Sequence, residues 1–157
     1  MTVLLILKGA SGRGKSETLN EVIKLLRQNG LSVFYPKIKS EFQDLSDEFV
    51  ILTKDDYKIG IIPFGDPGCE APVKDAVEKC NDIDVDFIVA ASRTKYSEGA
   101  VYTFLWDFAK ANNYCAMETS TIVKYDGWGM PVDSHILNQI CAENLLNIID
   151  KIKQIEK

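Results

Sequence analysis

Residues 3–16 read Val3-Leu4-Leu5-Ile6-Leu7-Lys8-Gly9-Ala10-Ser11-Gly12-Arg13-Gly14-Lys15-Ser16, and this order decides the fold. Five consecutive apolar residues offer water no polar face, which is the pattern of a central parallel strand buried on both sides. Gly9 to Ser16 then satisfies G-x-x-x-x-G-K-[ST] in full. Small residues leaving a strand can curl so that successive backbone N–H groups point inward and form an anion-binding nest. Leu19, Val22, Ile23 and Leu26 follow at helical spacing, so a helix over 15–29 adds its positive N-terminal end at the same place. Gly12 and Gly14 permit positive φ and close approach of a phosphate. In this chemistry Lys15 reaches β- and γ-phosphates and the Ser16 hydroxyl ligates Mg²⁺. The candidate nucleotide-binding residues are therefore Gly9, Ala10, Ser11, Gly12, Arg13, Gly14, Lys15, Ser16 and Glu17, with Arg13 read as exposed. Four fixed positions recur by accident in about one chain of this length in a few hundred. An accidental match would lack the buried strand before it and the amphipathic helix behind it.

Strand and helix signals alternate from there to the end of the chain. Gly30 stands where a left-handed C-cap is wanted, and 31–35 reads as a second strand. The stretch 36–47 is polar and irregular. Runs 48–54 and 57–64, separated by Asp55-Asp56, read as a hairpin, which makes one strand antiparallel. A helix over about 70–80 carries Val73, Ala76, Val77 and Cys80 on one face, with Pro72 tolerated in its first turn. Residues 86–91 form a strand. Residues 99–111 are apolar nearly all round, which predicts a helix with little water on any side and Trp106 in the core. A strand over 114–118, resuming at 122–124, leads through Gly127-Trp128-Gly129 to a last helix capped by Asp133 or Ser134 and ending near 155. Its stripe of Cys141, Leu145, Ile148, Ile152 and Ile155 is read as the face packed on the sheet, with a homodimer seam as the alternative. The expectation is an α/β sandwich in one domain, 1–157, with a mostly parallel sheet of five to six strands and helices on both faces.

Composition excludes several classes. At 157 residues, 46% hydrophobic and 26% charged, the chain suits one globular domain rather than a disordered segment. Eighteen Lys plus Arg against 23 Asp plus Glu give a net charge of −5, so a broad cationic surface for nucleic acid is not expected. No apolar run approaches the ~18–20 residues that span a bilayer. The apolar start has no basic stretch before it, so it does not read as a signal peptide. Four cysteines without a CxxC pair, and one histidine, predict reduced thiols in the cytoplasm and no structural zinc.

Residues 3–30 resemble the strand–loop–helix unit of the P-loop NTPase superfamily, with no departure from its pattern. Beyond residue 30 the likeness is architectural. The resemblance implies a bound Mg²⁺–nucleoside triphosphate and a carboxylate at the end of a neighbouring strand to hold the metal. Asp66, in the run Ile59-Gly60-Ile61-Ile62-Pro63-Phe64-Gly65-Asp66-Pro67-Gly68, is the candidate metal ligand beside Ser16, or a residue that positions water. Asp-Pro-Gly is equally ordinary turn chemistry, and Pro63 inside the run weakens its reading as a central strand. Arg93 and Lys95 follow the end of the strand 86–91, where open α/β sheets bind ligands. Arg93 is read either as a cation for the transferring phosphate or as a solvated loop charge. Lys15, Asp66 and Arg93 are thus the candidate catalytic residues.

The hairpin 48–64 with Asp66 is similar to the switch region of small GTPases, yet the glycine follows the aspartate by two residues instead of three. Asn-Lys-x-Asp is absent, and Glu118-Thr119-Ser120 is similar to a base-contacting loop of those proteins only in three common residues. ATP is therefore expected over GTP. Trp128 either stacks on a base or plugs the core, and His135 is read as a surface residue. The expected function is hydrolysis of the γ-phosphate of Mg-ATP or its kinase-like transfer to a small acceptor. The alternative is a nucleotide-dependent switch or ATPase component controlling a protein partner through loops 36–47 and 65–72. Arg13, Arg27 and Arg93 are the chain's three arginines, too few for an arginine-rich lid.

Overall fold

The computed structural model describes residues 1–9, 14–93, 100–121 and 134–156. Its elements are β1 (Val3–Lys8), α1 (Lys15–Gln28), β2 (Ser32–Tyr35), β3 (Val50–Lys54), β4 (Tyr57–Ile62), α2 (Glu70–Ile83), β5 (Phe87–Ser92), α3 (Ala100–Ala111), β6 (Cys115–Ser120) and α4 (Ser134–Ile155). The six strands form one open sheet in the order β2-β3-β4-β5-β1-β6. β3 runs antiparallel to both β2 and β4, while β4, β5, β1 and β6 pair in parallel. The hairpin read from the sequence accounts for the antiparallel member.

β1 lies between β5 and β6, with Val3 opposite both Phe87 and Cys115. Val3, Leu5 and Leu7 enter the core under α1 and α4, whereas Leu4 and Ile6 enter the core under α2 and α3. Burial on both faces is why the β1 run carries no polar alternation. The chain leaves β1, β4 and β5 at the same C-terminal edge of the sheet, and this edge carries the site. α1 stops in a Schellman cap: Leu31 N–H donates to Leu26 O and Gly30 N–H to Arg27 O, both at 3.1 Å. Gly30 takes φ +93°, the left-handed geometry that glycine adopts without strain.

Four expectations change. β4 ends at Ile62, so Pro63 lies beyond the ladder and β4 is a central strand after all. α3 buries one face only, through Val101, Leu105 and Ala109. Its aromatic residues, Trp106 included, are half-buried against that core, because α3 packs through one face and, among the described residues, they are not enclosed on the other. On α4, Cys141, Ala142, Leu145 and Ile149 are the buried positions, and Ile155 at the end of the stripe is exposed. Glu118, Thr119 and Ser120 are residues of β6, paired with β1, and form no loop. Among the described residues, no helix is long and apolar enough to cross a membrane.

Candidate functional site

The site begins where β1 gives way to α1. Gly9 is buried and donates its N–H to Ser92 O at 3.1 Å, which ties the start of the loop to the end of β5. Gly14 caps α1 with φ +76°, and its carbonyl accepts the Thr18 N–H at 2.9 Å. The left-handed φ is what favours glycine there; a side chain would in addition have to displace the Asn138 carboxamide. Ala10, Ser11, Gly12 and Arg13 lie outside the described residues. So do Lys95, Trp128, Asp133 and the strand expected over 122–124.

Lys15, Asp66 and Arg93, separated by up to 78 positions, meet at this edge. Lys15 is 6% exposed, and its Nζ donates to Gly9 O at 3.0 Å and lies 3.4 Å from Asp66 Oδ1. Arg93 Nε donates to the same oxygen at 2.7 Å. Burial lowers the Lys15 pKa from its ordinary value, and the Asp66 charge counters this only in part. The hydrogen bond from Arg93 holds the Asp66 carboxyl below the usual carboxylate range. Two cations round one carboxylate, beside a helix N-terminus, leave a local excess of positive charge suited to an anion.

Of the two readings of Asp-Pro-Gly, the turn is the one seen in the backbone. Cys69 N–H donates to Asp66 O at 3.0 Å, closing a turn with Pro67 and Gly68 at its centre and Gly68 at φ +93°. The Asp66 side chain meanwhile points to Lys15 and Arg93 and stays 52% exposed. Ser16 Oγ donates to Pro63 O at 2.7 Å, which docks the first turn of α1 on the end of β4.

Three contributors carried no signal in the sequence reading. Gly65 lies so close to β5 that a methyl group would collide with the Ala91 carbonyl, and this approach brings Asp66 to the end of β5. Asn138 on α4 donates from Nδ2 to Glu17 Oε2 at 2.8 Å and so braces the start of α1 from 121 positions away. Thr121, just past β6, places its hydroxyl against Gly9. Each acts through a contact distant in sequence, which no local pattern announces.

The remaining candidates fall elsewhere. Glu118 is bonded to Lys8 Nζ at 2.8 Å and to the Tyr102 hydroxyl at 2.6 Å. His135 is exposed, as read, and borders a small cleft with Glu17, Glu21, Asn138 and Gln139. Within 36–47, Glu41 O accepts from Arg27, and Asp47 exchanges two 2.9 Å hydrogen bonds with Asn20. Those contacts lay this segment along α1 and leave a groove of about 1020 Å³ between them. Among the described residues, no three His, Cys, Asp or Glu side chains cluster as a metal site. No family model, no curated protein and no solved structure matches the chain.

Proposed function

We propose that the chain binds a nucleoside triphosphate, ATP by preference, with Mg²⁺ at the 9–16 loop, and hydrolyses or transfers its γ-phosphate. The observation that carries this reading is the convergence of Lys15, Asp66 and Arg93 at the N-terminus of α1. Lys15, with three donors, keeps one on Gly9 O and has others to turn from Asp66 to phosphate oxygens. The fixed planar guanidinium of Arg93 suits the charge that develops on the transferring group. In chemical type the donors suit Mg²⁺: the Ser16 hydroxyl, which now donates to Pro63 O, and the half-exposed Asp66 carboxylate, now paired with Lys15 and Arg93, are hard oxygen ligands. When bound, the ion would neutralise phosphate charge, and Ser16 and Asp66 would hold it.

The test is a phosphorus NMR time course with Mg-ATP and Mg-GTP, with and without pooled nucleosides, nucleotides and sugars. A new phosphomonoester or a lengthened phosphate chain that tracks an acceptor establishes transfer. ADP with inorganic phosphate alone establishes hydrolysis and directs the search to protein partners. Lys15→Ala should abolish turnover and strongly weaken triphosphate binding while the fold survives. Normal turnover by that variant defeats the reading.

A further inference from the structure

Lys15 Nζ and Arg93 Nε reach the same atom, Asp66 Oδ1, at 3.4 and 2.7 Å. Two donors from separate elements thus mark out one seat for a negatively charged oxygen. Lys15 leaves from the first residue of α1 and is held from behind by Gly9 O at 3.0 Å. Arg93 follows directly on Ser92, the fully buried end of β5. The carboxylate reaches them from the solvent side: the Asp66 side chain is 52% exposed, against 6% for Lys15 and 24% for Arg93.

A buried ammonium is costly without an anion beside it, and burial lowers the Lys15 pKa for that reason. Asp66 supplies this anion from within the chain. Its backbone is fixed by the turn that Cys69 N–H closes on Asp66 O at 3.0 Å, and by the close approach of Gly65 to Ala91. The side chain is free to turn about its own bonds, and half of it already faces water. A phosphate oxygen and Oδ1 cannot both accept from these two donors at one place.

We propose that Asp66 Oδ1 occupies a phosphate-oxygen seat, so that the chain's own carboxylate competes with the ligand for Lys15 and Arg93. This rests on the nucleotide-binding reading for the nature of the ligand and adds a regulation of that site. An anion gains the two cations only as Asp66 gives them up. Drawing Asp66 away to a divalent cation clears the seat, so metal and phosphate favour each other's binding through one side chain.

Calorimetric titration with sodium pyrophosphate in EDTA, at fixed ionic strength, reads the seat without metal or nucleoside. Asp66→Asn, with Asp66→Ala as a second variant, should bind pyrophosphate about three- to tenfold more tightly than wild type, the worth of half-exposed ion pairs to two cations. Glu70→Gln removes an equal charge from the first turn of α2, outside the cluster, and should change the affinity by less than about twofold. Lys15→Ala on the Asp66→Asn background should remove most of the gain. Pyrophosphate affinity no higher than wild type in both Asp66 variants overturns the proposal. So does an equal gain in Glu70→Gln, which would make the effect one of net charge, or a gain that survives Lys15→Ala whole. Mg-ATP titrated into the wild type separates this proposal from the nucleotide reading. Binding of Mg-ATP with no pyrophosphate gain in the Asp66 variants leaves that reading standing and removes this one. A gain that needs Lys15, in a protein that binds no Mg-ATP, upholds the seat and removes the nucleotide reading.

Discussion

Gly65→Ala tests the geometry that delivers Asp66 to the site. The added Cβ would overlap Ala91 O and Ala91 C and fall 2.9 Å from Ser92 Cα. All three are backbone atoms of β5, a strand held between β4 and β1, so no side chain can swing away to make room. Restoring contact distance means parting the end of β4 from β5 by about an ångström or more. Ala91 and Ser92 are fully buried, and Ser92 O accepts from Gly9 N, so the displacement reaches both the core and the loop. Overpacking a tight site costs about 1–3 kcal/mol, and a backbone obstacle puts this one near 3. For a chain of this size that corresponds to a fall in Tm of about 6–12 °C. Gly68→Ala is the control: nothing lies within 4 Å, and φ +93° leaves backbone strain alone, about 1–2 kcal/mol. Urea titration and scanning calorimetry on both variants measure the difference. A Gly65→Ala protein no less stable than Gly68→Ala would refute the close approach of the two strands.

The acid limb of stability should depend on Asp66. Its folded pKa lies below the unfolded value, so its contribution is present above about pH 4 and is lost as the pH falls through the folded value. Wild type should therefore lose more stability than Asp66→Asn as the pH falls below about 4. The difference stays under about 1 kcal/mol because the group is half exposed; parallel curves would rule the pairing out. Among the cysteines, exposed Cys115 should react first with a thiol reagent at neutral pH. Cys80, its thiol pushed up to about 12 by burial, should resist until the protein unfolds; matching rates would contradict the packing of α2 on the sheet.

What could be read from the sequence was carried by patterns local to a dozen residues. The unbroken apolar run of β1, the helical spacing behind the loop and the Gly30 cap each state their own conformation, because burial and backbone preference act on neighbouring residues. The hairpin over β3 and β4 was legible for the same reason, Asp55 taking the positive φ of +54° that the turn needs. Lys15, Asp66 and Arg93 were each named from position at a strand or helix end, but not their meeting. That depended on β5 standing between β4 and β1, a matter of strand order, which side-chain alternation does not encode. The apolar circumference of α3 was misleading because composition records what a helix could bury, whereas the number of layers packed against it decides what it does bury. Gly65, Asn138 and Thr121 belong wholly to the tertiary structure. Their roles lie in contacts with Ala91, with Gly14 and Glu17, and with Gly9, made by chain segments that only folding brings together.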